Sequence, residues 1–293
     1  MSWEGIEEAV AIADAGSFVG GATLLDVSTS HVSRSIQRLE ERLGTVLFDR
    51  TTRRVRLTDT GRVFVEQGRR IIQEREELMS LVDGTSEPHG ELKITCSITL
   101  GERFVVPILR RFVAAHPRIS ISIDLSNRLI DLVAEGIDLA IRTGEVADKR
   151  LVNRRIASRV SEVCAAPSYL QSFGIPQTID DLKGHECLVG TNATWHFTEE
   201  GRLRDFTPRG HWRCNSGAAV AEVAVAGMGI CQLPSFYVRQ SIEAGSLVPI
   251  LSRFKATPEP ISVVYPHRRH LLPKVRHLAD TLEAHLQSEI DSV

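Results

Sequence analysis

The stretch from Ser28 to Thr58 constrains this chain more than any other. Val32, Ile36, Leu39 and Leu43 recur at helical spacing and form one apolar stripe. Ser30, Arg34, Gln37 and Glu41 lie on the opposite side, flanked by His31, Ser33 and Arg38. Ser28 is a good N-cap, and Gly44 follows the last periodic residue, where a left-handed cap would sit. The polar face has a direction: hydroxyls and then arginine come first, and Glu40 and Glu41 come last. A helix whose first turns enter a major groove wants that order, with acids only where it has left the duplex. Taken alone, the same window also reads as an ordinary amphipathic surface helix.

The preceding segment supports the first reading. Trp3, Ile6, Val10 and Ile12 space as a helix that ends at Asp14-Ala15-Gly16, and Ser17 caps a second short helix, Phe18 to Leu25. Helix, helix, tight turn and helix make a helix-turn-helix whose third helix reads DNA. Gly21 suits a close helix approach, whereas Gly20 has no evident reason in sequence. After Gly44, Val46-Leu47-Phe48 is apolar, and Arg50 to Arg56 reads as the turn of a two-stranded basic wing with Val55 and Leu57 pointing inward. From Thr60 to Val82 a long helix carries two heptad columns, Phe64/Ile71/Leu78 and Val65/Ile72/Met79, a seam for a second copy of itself. The alternative is a helix packed on its own domain. Thr85 to Gly90 reads as a linker.

With 293 residues, more than one domain is expected. The net charge of −2 argues against a nucleic-acid binder, but distribution matters more than the sum: Arg50, Arg53, Arg54 and Arg56 cluster without an acid. Every basic residue before Lys93 other than histidine is arginine, the side chain suited to bidentate contacts. No run approaches the roughly 18 apolar residues of a membrane span, and the N-terminus has no signal-like segment, so a cytoplasmic protein is expected. Cys96, Cys164, Cys187, Cys214 and Cys231 are odd in number, with no CxxC pair, and read as reduced thiols.

These ninety residues resemble the winged helix-turn-helix and linker helix of LysR-type transcriptional regulators. The resemblance rests on Gly16-Ser17-Phe18, Ala22, Leu25, Val27-Ser28, Val32-Ser33-Arg34, Ile36, Leu39-Glu40, Leu43-Gly44, Leu47-Phe48, Arg50, Leu57-Thr58 and Gly61. Gly21 and Thr29-Ser30 depart from the family pattern, the latter at base-reading positions. The resemblance implies Thr29, Ser30, His31 and Arg34 at bases, and Ser33, Gln37, Arg38, Arg50, Arg53 and Arg54 at phosphates. It also implies a homodimer through the linker helix, a homotetramer through effector domains and a pseudo-palindromic double-stranded operator.

The remainder fits the family's effector domain, two α/β lobes resembling periplasmic binding proteins, behind an all-α-type winged helix-turn-helix domain. Expected boundaries are 1–61 for the DNA-binding domain, 62–85 for the linker helix, 90–163 plus 267–293 for lobe I, and 164–266 for lobe II. Strands at Leu92–Ser97, Ile119–Leu125 and Ile137–Arg142, with helices Phe104–His116 and Leu129–Glu135 between them, imply a parallel sheet. In the second unit, strands are expected at Val163–Ala165, Cys187–Val189, His211–Cys214, Ile230–Leu233 and Ile261–Tyr265, with a helix from Ala218 to Ala226. The helix through Val275, Leu278, Leu282 and Leu286 closes back on the first.

Ligands of open α/β sheets bind beyond the carboxyl ends of strands. That rule, with the resemblance, assigns a small-molecule effector to Ser97, Thr99, Ser126, Arg128, Arg142, Thr191 and Ser216. Several hydroxyls and two arginines favour an anion such as a carboxylate. The competing readings are plain helix caps for the hydroxyls, an Arg142 ion pair with Glu135 or Asp138, and a core role for Trp195. A second signal, oxidation of Cys187 and Cys214, competes with burial of both as small hydrophobes. No metal or cofactor is expected: His267, His270 and His277 lack a completing ligand. No phosphate loop or nucleophile elbow is present, and nothing orients a base beside His185 and Cys187, so the chain does not read as an enzyme. The alternative class is a cytosolic solute-binding or enzymatic α/β module whose helix-turn-helix is only a docking platform.

Overall fold

The computed structural model describes residues 4–50, 55–82, 88–128, 130–144, 148–269 and 272–292. The chain divides into two compact units, Met1–Ser86 and Glu87–Val293.

In the first unit, α1 (Ile6–Ala15), α2 (Phe18–Leu24) and α3 (Thr29–Leu43) follow one another through short capped turns. The Ser17 hydroxyl accepts from the Gly20 amide at 3.0 Å, and the Ser28 hydroxyl accepts from the His31 amide at 3.1 Å. Gly44 ends α3 in the left-handed region. The structure supplies the missing reason for Gly20, since a Cβ there would meet the Ala15 Cβ at 2.7 Å in the α1–α2 turn. At Gly21 a Cβ would lie 2.9 Å from the Ile12 backbone nitrogen, so the two helices touch there.

Val32, Ile36 and Leu39 are buried with Ala9, Ile12, Ala22, Leu47, Phe48 and Val65. Leu43, expected as the fourth member of the stripe, is instead 44% exposed. The residue just ahead of α1, Gly5, sits against Leu39 (a Cβ on it would be 2.8 Å from the Leu39 Cβ), so no α1 remains to cover the next turn of α3.

The two strands of the expected wing, β1 (Phe48–Arg50) and β2 (Val55–Leu57), pair antiparallel with Phe48 opposite Leu57, and residues 51–54 between them lie outside the described residues. The helix α4 (Asp59–Val82) then runs 24 residues, about 36 Å. Its two heptad columns divide by height. Val65 belongs to the core of its own unit, and Gly68 lies against Ile6 and Val10, whereas Leu78 and Met79 are 61% and 55% exposed.

The second unit runs through β3 (Gly90–Cys96), α5 (Ile98–Leu100), a π-turn at Gly101–Val105, α6 (Val106–Ala115), β4 (Ile119–Leu125), β5 (Leu139–Thr143) and β6 (Leu151–Arg159). It continues with β7 (Ser161–Ala165), α7 (Pro167–Phe173), β8 (Cys187–Leu188), β9 (Trp195–Glu199), β10 (Arg202–Phe206) and α8 (Gly217–Val225). β11 (Ile230–Pro234), α9 (Ser235–Glu243), β12 (Val248–Pro249), β13 (Glu259–Pro266) and α10 (Pro273–Asp291) complete it.

One sheet has the order β4-β3-β5-β13-β6 and the other β12-β7-β11-β8, with β9 and β10 as a separate hairpin. The first sheet is mixed rather than parallel: β3 is parallel to β4 and β5, but β13 is antiparallel to β5 and β6. The Ile261–Tyr265 strand, expected in the second lobe and inside the 164–266 boundary, therefore belongs to the first sheet. Its apolar run Ile261, Val263 and Val264 is fully covered, as a strand between two neighbours requires. α10 packs on the same sheet through Val275, Leu278, Leu282 and Leu286.

Two further expectations are corrected. Residues 132–136 form turns rather than a helix, with Asp131 Oδ1 accepting from the Val133 and Ala134 amides; Leu129 lies outside the described residues. The expected strand His211–Cys214 reduces to a single bridge between Val189 and Arg213.

Gly61 tests how tightly the wing closes on α4, since a Cβ there would lie 2.1 Å from the Leu47 carbonyl oxygen. Gly61→Ala should destabilise the first unit by about 1–3 kcal/mol, read as an earlier urea midpoint for its unfolding with the second unit's transition unmoved.

Candidate DNA-reading helix and effector cleft

α3 is held from beneath by one carboxylate. Glu8 is 8% exposed, its Oε2 accepts from the Gly5 amide at 3.0 Å, and its Oε1 lies 3.2 Å from His31 Nε2. The same side carries Arg38 Nη1 donating to Glu4 Oε1 at 2.8 Å and Arg42 Nη2 donating to the Glu4 carbonyl at 2.6 Å. His31 and Arg38, expected at base and phosphate, are thus exposed side chains that also tie α3 to the start of α1. Glu40, expected only where the helix leaves the duplex, accepts from the Leu47 and Phe48 amides and fixes the entry to the wing.

The outward face is otherwise uncommitted. Thr29, Ser30, Arg34 and Gln37 are exposed and Ser33 is half-buried. Arg34 Nε donates to the Ser30 carbonyl, and Gln37 Nε2 to Glu41 Oε1, both contacts within the helix. Arg53, Arg54 and the side chain of Arg50 lie outside the described residues.

In the second unit the expected effector residues gather at the carboxyl ends of β3, β4 and β5 and on the facing loops. Asn127 Nδ2 donates to the Asn215 carbonyl at 3.0 Å, and Thr191 Oγ1 donates to the same oxygen at 3.1 Å. Asn127 Oδ1 accepts from the Ile98 amide at 3.3 Å, so this side chain links the start of α5 to the loop before α8. Two hydroxyls have local roles: Ser216 caps α8 by accepting from the Ala219 amide, and Ser126 accepts from the Arg128 amide. Thr99 is half-buried and Arg128 exposed.

Arg142 differs from these. It is half-buried, and its one hydrogen bond among the described residues runs from Nη2 to Thr95 Oγ1 at 3.4 Å. The ion pair expected with Asp138 or Glu135 is absent; Arg269 takes Asp138 instead, with Nε 3.2 Å from Oδ1. Burial pulls the Arg142 pKa below the usual guanidinium value, while Cys96 and Asp124 pull it back up. Burial likewise pushes the Cys96 thiol up to about 12. Thr95 and Cys96 belong to this site and were not expected there. They sit on the last residues of β3, opposite β5, and sequence shows no such pairing.

The remaining chemical candidates fall elsewhere. Trp195 is 2% exposed and packs with Phe197 and Phe206. Cys187 lies buried in that core, while Cys214 packs on the other core of the lobe, so the two thiols of the alternative redox reading are divided between cores. His270 is outside the described residues, and among those described no group of three metal-binding side chains occurs.

Residues 3–62 match the family model for the bacterial regulatory helix-turn-helix protein of the lysR family, and residues 85–287 match the LysR substrate binding domain. The chain belongs to the LysR family of transcriptional regulators.

It is 36% identical to an uncharacterized HTH-type transcriptional regulator of Haemophilus influenzae, over 88% of this chain and 92% of that one. The full-length structure of AphB, the Vibrio cholerae virulence activator, superposes with a TM-score of 0.60 at 26% identity, covering 98% of this chain and all of that one. CrgA of Neisseria meningitidis, a LysR-type regulator, gives 0.58 at 30% identity over 97% and 98%. As a LysR-family regulator the protein binds DNA through the helix-turn-helix and a small-molecule effector through the substrate-binding domain, and its relatives are regulators rather than enzymes. No described helix is long and apolar enough to cross a membrane.

Replacing Glu8 with alanine leaves a buried amide and His31 without their acceptor. The expected loss is about 1–3 kcal/mol from the first unit, measured by urea unfolding, together with weaker operator binding as α3 loosens on α1.

Proposed function

We propose that this LysR-type regulator senses a small anion, most simply a carboxylate, through Arg142. The observation that carries this reading is a half-buried guanidinium hydrogen-bonded only to Thr95 Oγ1 among the described residues. A charge taken partly out of water is costly unless an opposite charge meets it, and Asp124 reaches this arginine only through space. A bound carboxylate would supply the missing partner in bidentate form. Ser97 and Thr99, with Ser126, Arg128 and Ser216, supply the surrounding donors, while the Thr191 proton goes to the Asn215 carbonyl.

On the DNA side, Thr29, Ser30, His31 and Arg34 face bases; Ser33, Gln37, Arg38, Arg50, Arg53 and Arg54 face phosphates. The bare face of α3 and its hydroxyl-first order support this division. Leu78 and Met79, exposed on the lower half of α4, support pairing with a second copy, which spaces two reading helices over a pseudo-palindromic operator. Further pairing through effector domains gives a tetramer.

Arg34→Ala should weaken operator binding about 5- to 100-fold and leave binding to random DNA within about twofold, by fluorescence anisotropy at one fixed salt concentration. Equal losses on both would reject base reading by Arg34. For the effector, the DNA upstream of the gene is footprinted with a panel of small carboxylates and their neutral amides. The carboxylate that shifts the wild-type footprint should need at least about tenfold higher concentration with Arg142→Ala. An amide that works as well as its acid would reject the anionic class.

A further inference from the structure

Two cysteines that the effector cleft does not use lie directly opposite each other. Cys164 on β7 and Cys231 on β11 are register partners in an antiparallel pair, and their Sγ atoms are 3.5 Å apart. Neither has any exposed surface, and no other pair of sulfurs is in contact among the described residues. Residues directly opposite in such a pair hold their Cβ atoms about 4.5–5.5 Å apart, against about 3.5–4.5 Å in a disulfide, so rotation of the two side chains and a small approach of the strands join the sulfurs without a change of register.

We propose that Cys164 and Cys231 are an oxidisable dithiol that a small hydroperoxide closes to an intrachain disulfide. One thiolate attacks the peroxide O–O bond and becomes a sulfenic acid as an alcohol, or water from hydrogen peroxide, departs. The second thiol attacks that sulfur and expels water. Two thiols and one hydroperoxide thus yield one disulfide, one alcohol and one water, with two electrons passing from sulfur to the peroxide oxygens.

Both side chains face the core under α8 and α9, among Val220, Ala221, Ala224 and Val238, so a peroxide reaches them only when the sheet opens. In the plane of the sheet β7 and β11 are flanked by β12 and β8, each only two residues long, and both β12 residues are exposed. Such short edges open before the rest of a sheet. The facing Cys164 thiol and burial hold the Cys231 thiol protonated, so oxidation follows opening of the edge. The disulfide would pin β11 just ahead of α9, where the Ser235 amide donates to the Val160 carbonyl at 2.8 Å and the Phe236 carbonyl accepts from Arg103 at 2.6 Å.

The test exposes full-length protein to hydrogen peroxide, quenches, counts thiols after denaturation and maps the unreduced digest by mass spectrometry. The count should fall from five to three, with loss of about 2 Da and a linked peptide joining Cys164 to Cys231, all reversed by dithiothreitol. Cys231→Ser, folded or not, should give no such linked peptide. Retention of all five thiols by the wild type, a linked peptide joining Cys187 to Cys214, or a lone oxidised cysteine in place of the link would overturn the proposal.

Discussion

Sealing one side of α3 is what allows the other side to stay bare. Val32 and Ile36 have no exposed surface and Leu39 has 3%, all pressed into the small core built from α1, α2, β1 and α4. A helix of 15 residues has little stability alone, so its rigidity comes from that packing and from the Glu8 and Glu40 contacts at its two ends. Apart from His31, which meets Glu8, and Arg38, which meets Glu4, the residues assigned to DNA on this helix make no hydrogen bond outside it among the described residues. Polar residues there can be chosen for what they meet outside the molecule.

The first unit was largely legible in sequence because its signals are local. Caps, periodicity and turn residues lie within a few positions of what they determine, and Ser17, Ser28 and Gly44 act where their chemistry indicates. The failure at Leu43 came from a distance effect: periodicity marks a stripe but cannot tell how far the covering helix extends. The second unit was less legible for the same reason on a larger scale. Strand propensity located most of its strands, yet which sheet β13 joins depends on a partner more than a hundred residues earlier.

The candidate effector site shows both outcomes. Hydroxyls chosen for their place after strands are indeed there, but Ser126 and Ser216 are occupied by neighbouring amides, a role that composition predicts equally well. Arg142 stands out only in three dimensions, when its supposed partner Asp138 is found beside Arg269. Asn127, named by no pattern, bridges two segments of the cleft. The cysteines teach the same lesson: sequence separation favours no pair, and register across β7 and β11 brings Cys164 and Cys231 together.

The position of β13 also sets a timetable for assembly. It lies between β5 and the edge strand β6 in the first sheet, so the slot between those two stays open until residue 266 has been made. On the ribosome, everything from β7 to β12 emerges before β13 and can collapse on its own cores, while β3, β4 and β5 pair with one another and β6 waits without its partner. A chain interrupted before β13 would therefore present two raw strand edges rather than a smaller finished sheet, and would be prone to stick to its neighbours.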